Sequence, residues 1–193
     1  MIVDYQPELV QEELLSLGNQ QQLIHLNSMC WAWKECMPIY VFDMDGTICD
    51  STHRHHYLQS TDAEGNIVPR PGGKDWDSFF KAQKDDALYR PISEIMEALI
   101  SAQKVVLILT ARPESQREES ERWLREHMIP YHGLFMRPTS NRTDDNELKV
   151  HQLHTYLKTR VSLVRTVFED RRRIVHSMRH HGFHVCHVAE GDF

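Results

Sequence analysis

The sequence predicts an α/β protein, a parallel sheet flanked by helices, and three observations carry that expectation. Four short apolar runs, Ile39–Phe42, Val105–Leu109, Leu163–Phe168 and Phe183–Val188, are rich in Val, Ile and Phe, as strands covered on both faces are. Amphipathic stretches of helical period lie between the later runs. The joints between them are short, and strand–helix alternation with short joints gives parallel strand order.

The elements follow in chain order. Residues 1–37 read as a helical leader. Pro7 suits a first helical position, Leu9, Val10, Leu14, Leu15 and Leu17 form a stripe, and Gly18 is a stop. A second segment over residues 20–34 carries Leu23, Ile24, Leu26, Trp31 and Trp33. So apolar a leader is expected to pack on the core or on another subunit, which leaves a homo-oligomer open. Pro38 then opens a domain over residues 38–193, with Ile39–Phe42 as its first strand.

About 40 residues separate Asp50 from Pro91, where such a joint ordinarily takes about 2–6. Residues of about 51–90 are therefore expected to form a cap insertion over the sheet's carboxyl edge. The insertion holds a short helix around Thr52–His56, a turn-rich stretch (Glu64–Asn66 and Pro69–Gly73) and an amphipathic helix over Trp76–Ala87. Trp76, Phe79 and Phe80 would fill the cap's own core, with a nucleobase stacking on Trp76 or Phe79 as the sharper reading. Helices are then expected over Pro91–Gln103, Glu114–His127, Asp145–Leu157 and Arg171–His181, with Gly133–Met136 as a weaker fifth strand.

Lys and Arg number 22 against 28 Asp and Glu, a net charge of −6. That argues against a broad basic surface for nucleic acid, though not against a local basic pocket. No run approaches the roughly 20 apolar residues of a membrane span, and acidic residues near the start (Asp4, Glu8, Glu12, Glu13) do not suit a signal peptide. Cys30, Cys36, Cys49 and Cys186 form no C-x-x-C pair and read as buried thiols of a reducing compartment. The expectation is a cytoplasmic protein without a membrane partner.

Parallel sheets bind ligands at the carboxyl ends of their strands, and the strongest motif lies there: Val41-Phe-Asp-Met-Asp-Gly-Thr47. Side chains two apart on an extended backbone point the same way, so Asp43 and Asp45 address one ligand. Two adjacent carboxylates are costly unless a cation or proton offsets them. Three later joints supply complementary groups. Thr110, followed by Arg112, offers a hydroxyl and a guanidinium to phosphate oxygens. Lys149 lies on a helix after Asp144 and Asp145, where a lysine is ordinarily solvated. Glu169-Asp170 ends a strand with hard oxygen donors suited to Mg²⁺.

Two Asp, then Thr, then Lys, then an acidic pair, each near a joint after an apolar strand, resembles the four motifs of the haloacid dehalogenase (HAD) superfamily over residues 39–188. A narrower likeness is to the phosphatase domain of bacteriophage polynucleotide kinase/phosphatases. Arg54 in Thr-His-Arg-His, Arg112 in Thr-Ala-Arg-Pro, Asp145 four residues before Lys149, Glu169-Asp170-Arg171 and the terminal Val188–Phe193 carry it. Such a chain would sit in the host cytoplasm if phage-encoded. The kinase half is excluded, because Val68 and Asp75 stand where a phosphate-binding G-x-x-x-x-G-K-[ST] loop around Gly73-Lys74 needs Gly and Ser or Thr.

The resemblance implies a HAD-like (Rossmann-like) fold and a Mg²⁺-dependent phosphomonoesterase working through an aspartyl-phosphate. Asp43 would be the nucleophile and Asp45 the acid and base, with Thr110 and Lys149 completing the catalytic set. Mg²⁺ would be held by Asp43, the Met44 carbonyl, Asp170 and Glu169. Arg54, Arg112 and Asp145 would bind substrate, most plausibly a 3′-phosphate on a nucleic-acid end. Free nucleoside monophosphates are the alternative substrate, and a phospho-accepting signalling receiver or a silent scaffold are alternatives of another class. Receivers, however, carry the phosphorylated Asp on a middle strand. His53, His55 and His56 lack a second ligand group at zinc spacing.

Overall fold

The computed structural model describes residues 37–191; the expected leader lies, but for Met37, outside them, as do Cys30 and Cys36. Five strands form one parallel sheet: β1 (Ile39–Phe42), β6 (Val105–Pro113), β7 (Gly133–Arg137), β8 (Val164–Arg171) and β9 (Val185–Gly191), in the order β7-β6-β1-β8-β9. β1 is central, with Val41 level with Leu107 on one side and Val167 on the other. The four apolar runs and the weaker fifth are these strands, so the expected HAD-like parallel α/β architecture is the observed one.

Strands β1, β6, β7 and β8 divide their apolar residues between two cores. Ile39, Val41, Val105, Leu107, Leu109 and Val167 face helices α4 (Asp145–Leu157) and α5 (Arg172–His180), whose Leu153, Tyr156, Ile174 and Met178 cover them. Phe42, Val106, Ile108 and Met136 face α2 (Arg90–Ser101) and α3 (Arg117–Glu126), through Met96, Trp123 and Leu124. Burial on both faces explains why these runs are continuously apolar instead of alternating. On the second face Phe42 stacks on Phe168 with centroids 4.3 Å apart.

Between the first strand and α2 rises the cap insertion. Its neck is a short antiparallel pair, β2 (Cys49–Asp50) with β5 (Ala87–Leu88). Above the neck stand a 3₁₀ segment (Thr52–Tyr57), a hairpin of β3 (Gln59–Thr61) and β4 (Ile67–Pro69), and α1 (Trp76–Lys81) followed by a 3₁₀ turn over Ala82–Asp85. The helix expected to reach Ala87 thus ends early. Asp86 is extended (φ −62°, ψ 131°), and its carboxylate meets two buried arginines.

Two further expectations change. Thr110 is expected at the joint after the Val105–Leu109 run, but β6 continues through it to Pro113, with an irregular register against β7 after Leu109. Cys49 is buried as expected, but Cys186 is exposed: β9 is an edge strand, and the side chain next to buried Val185 points the other way. Among the described residues no helix is long and apolar enough to cross a membrane.

Candidate active site

β1 delivers Asp43 to the carboxyl edge, where it is buried at 4% exposure. The chain then turns tightly. The Met44 carbonyl accepts hydrogen bonds from the amides of Ile48 (2.9 Å) and Cys49 (3.0 Å) and from the Cys49 thiol (3.3 Å). A carbonyl has two lone pairs, so this one is occupied within the turn and is not offered to a cation, contrary to the ligand role expected of Met44. Gly46 has φ +79°, and a Cβ there would stand 2.1 Å from Asp170 Oδ2. The glycine of the motif therefore serves two ends, a left-handed turn and the close approach of an acidic side chain from β8.

Asp43, Glu169 and Asp170 bring carboxylate oxygens within 4.8 Å of one another. Lys149 Nζ lies 2.6 Å from Asp43 Oδ1 and 2.7 Å from Glu169 Oε2. Far from being solvated, Lys149 is 1% exposed. Burial alone would lower its pKa, but Asp43 and Glu169 outweigh that and hold it charged. Burial raises Asp43, and the neighbouring Glu169 raises it further against the pull of Lys149. Burial also raises Asp170, reinforced by Asp43 and Glu169. One lysine thus faces three buried carboxylates, and Asp170 Oδ1 has no hydrogen-bond partner. An orphaned buried oxygen beside two further hard oxygen donors is the environment a divalent cation such as Mg²⁺ satisfies, so these residues fit the ion.

Asp45 belongs to a second cluster. Arg54 ion-pairs with it through Nη2, and Arg112 reaches it through Nε at 3.0 Å. Both guanidiniums also bind Asp86: Arg54 Nε and Nη2 each at 2.7 Å, Arg112 Nη2 at 2.8 Å. Arg112 Nη1 donates to Gln83 Oε1 at 2.6 Å, and Phe79 lies under Arg54, 4.0 Å from its ring centroid. Burial works against the charge on Asp45, but Arg112 and then Arg54 hold its pKa far below the carboxylate range. Both arginines are essentially buried (0% and 1% exposed). They grip Asp45 and Asp86 instead of standing open for substrate, as they had been expected to. Asp86 escaped the sequence reading. Its role follows only from the structure, where two buried arginines need more than one carboxylate.

Thr110 is buried beside the cleft, and its Oγ1 accepts from the Arg112 amide at 3.2 Å. Asp145 bridges Arg137 and Arg171 at the cleft wall. The histidines are committed elsewhere: His53 to Asp86, His55 to Ser51, and His56 to the His53 carbonyl. Phe79 is buried in the cap while Trp76 remains 47% exposed. A cleft of about 680 Å³ has Asp43, Asp45, Thr110 and Lys149 at its base, with Trp76 and Phe80 on its cap side.

A parallel sheet with a doubly acidic turn after its central strand, a buried lysine and an acidic pair from the next strand defines the class: a HAD-type phosphatase, a phosphoric monoester hydrolase. The family model of the polynucleotide kinase PNKP phosphatase domain matches residues 37–193, and the chain belongs to that family. Among solved structures, the Pnkp1/Rnl/Hen1 RNA repair complex is similar at TM-score 0.64 and 23% identity over 82% of this chain and 45% of that one. A haloacid dehalogenase-like hydrolase from Streptococcus pneumoniae (TM-score 0.53, 20% identity, 78% and 83% covered) and a putative phosphatase from Clostridium difficile (0.52, 18%, 77% and 83%) are also similar. At these identities the likeness is one of fold, and the chain spans less than half the length of the matched chain of the RNA repair complex. No curated protein sequence matches.

Proposed function

We propose that this phosphatase is Mg²⁺-dependent and removes 3′-phosphates from nucleic-acid ends through an aspartyl-phosphate on Asp43. The observation that carries the reading is the junction of Asp43 with Lys149, Glu169 and Asp170, two residues before Asp45 with its pair of arginines. The family supports the polynucleotide end, and so does a cleft far larger than a phosphate alone requires.

Asp43, Asp170 and Glu169 would hold the ion, the last directly or through water. When bound, Mg²⁺ supplies charge neutralisation between carboxylate and phosphate and polarises a phosphoryl oxygen. Asp43 attacks phosphorus, and as that bond forms the bond to the 3′-oxygen breaks, its electron pair leaving with the alkoxide. Asp45 gives the alkoxide a proton, then takes one from the water that releases phosphate from Asp43. In the substrate-free site Asp45 is ionised. The arriving phosphate, a like charge, raises its pKa so that it takes up from solvent the proton it then gives to the alkoxide. The proton taken later from water restores the acid form. Lys149 holds the Asp43 oxygen in place and balances charge on the transferring group, with Thr110 positioned beside it.

The deciding experiment compares turnover of a 3′-phosphorylated oligonucleotide, a 3′-mononucleotide and a 5′-mononucleotide, each with and without Mg²⁺. Faster turnover of the oligonucleotide, lost with EDTA, is expected. Equal or faster turnover of the mononucleotides makes the chain a nucleotidase instead. Asp43→Asn abolishes turnover on all three, and residual turnover in that variant would put the nucleophile elsewhere.

A further inference from the structure

Five carboxylates and seven cationic side chains line the cleft, in a chain of net charge −6. Most of these charges are already matched. Lys149 meets Asp43, Arg112 meets Asp45, Arg137 and Arg171 share Asp145, and Arg173 meets Asp144 at 2.9 Å. Two cations have no carboxylate partner among the described residues, Lys74 and Arg142, against one such carboxylate, Asp77. The two stand on different walls. Lys74 belongs to the cap and sits 5.3 Å from the centroid of the Trp76 ring. Arg142 is exposed in the loop between β7 and α4, on the core side.

Trp76 is equally out of place for an interior residue. It packs one side on Phe79 and Phe80 (5.8 Å to each centroid), which fixes the ring, yet it stays nearly half exposed inside a cleft. A rigid, exposed indole on one wall and an unmatched guanidinium on the other is the pairing that holds single-stranded nucleic acid, bases stacking on aromatics and phosphates meeting cations. A phosphate already seated at Asp43 leaves its own nucleoside, and the phosphodiester before it, to fill the remaining cleft.

We infer that the cleft takes the last two nucleotides of a single-stranded 3′ end, the terminal base stacking on Trp76 and the phosphodiester 5′ to it binding Arg142. The inference rests on the polynucleotide reading and adds the residues that distinguish a chain end from a free nucleotide. Neither residue touches the acidic cluster.

The test measures kcat/KM for a 3′-phosphorylated dinucleotide, the matching 3′-mononucleotide and glycerol 2-phosphate, using the full chain and its Arg142→Ala and Trp76→Ala variants. Ratios between substrates of one enzyme are read, so a general loss of activity cancels. Arg142→Ala is expected to lower the dinucleotide-to-mononucleotide ratio about tenfold. Trp76→Ala should lower the mononucleotide-to-glycerol 2-phosphate ratio about tenfold, in line with other base–aromatic contacts. Ratios left within twofold of the parent in both variants overturn the inference while the polynucleotide reading stands. A parent enzyme that favours the mononucleotide overturns both.

Discussion

Gly46 shows how closely a single residue position is specified by the chemistry around it. Its left-handed backbone costs a residue with a Cβ about 1–2 kcal/mol, and that Cβ would also displace the Asp170 carboxylate. Gly46→Ala is therefore expected to fold with a loss of about 1–3 kcal/mol and to need far more Mg²⁺ for half-maximal activity; a titration of rate against Mg²⁺ reads the second effect apart from the first. Titration behaviour belongs to the same scale. Asp43 and Asp170 have folded pKa values raised by burial and by neighbouring carboxylates, so the folded protein binds protons that the unfolded chain has released. Stability of the metal-free protein should then fall as pH rises from about 5 to about 8. Mg²⁺ favours the ionised carboxylates and should raise Tm more at the upper end of that range than at the lower. Thermal unfolding in EDTA and in Mg²⁺ across the range checks both slopes. For the same reason, Asp43→Asn should leave Tm unchanged or higher in EDTA, since it removes one of three crowded carboxylates.

At the scale of elements, the cap is joined to the core through charge as well as through its β2–β5 neck. Asp86, just before the returning strand β5 of the insertion, holds Arg54 from the cap and Arg112 from β6, and its carbonyl accepts from Trp123 Nε1 of α3 at 2.9 Å. Gln83 reinforces the junction, donating to Gln116 Oε1 at 2.8 Å. Removing one member of a buried ion cluster leaves the others uncompensated, at a cost of about 3–5 kcal/mol. Asp86→Ala should lose about that much in urea denaturation, and its kcat should fall because Arg54 and Arg112 no longer set the position of Asp45. These elements also show what the sequence could and could not convey. The strands were legible because burial on both faces writes a continuous apolar run, and Asp43-x-Asp45-Gly46 because its geometry is local. Asp86 was not, since Lys84-Asp85-Asp86 looks like a solvated charge run until the insertion folds back on the turn after β1. Lys149, among Asp144, Asp145 and Glu147, looked solvated for a like reason; its burial comes from α4 packing across the sheet edge. Arg54 and Arg112 were found, but their partners are set by tertiary convergence over 32 and 26 residues of separation from Asp86.

Taken as a whole, the molecule is acidic with a locally cationic cleft, and this arrangement makes a quantitative statement about salt. Affinity for single-stranded nucleic acid falls with log salt at a slope of about 0.7 per neutralised phosphate, because each contact releases condensed counterions. A protein held by a broad basic face, with six to ten such contacts, loses about 10³–10⁵ between 50 and 200 mM salt on a duplex. Among the described residues that line the cleft, only Lys74 and Arg142 offer unmatched positive charge. One or two contacts correspond to a loss of about threefold to sevenfold in kcat/KM over that fourfold range of salt. The loss should also stop growing once the oligonucleotide is longer than two or three residues. A series of 3′-phosphorylated oligonucleotides of two to twelve residues, assayed at 50, 100 and 200 mM NaCl, separates the possibilities. A shallow slope independent of length places recognition at the chain's end, inside the cleft, whereas a slope that steepens with length would place further phosphate contacts outside it.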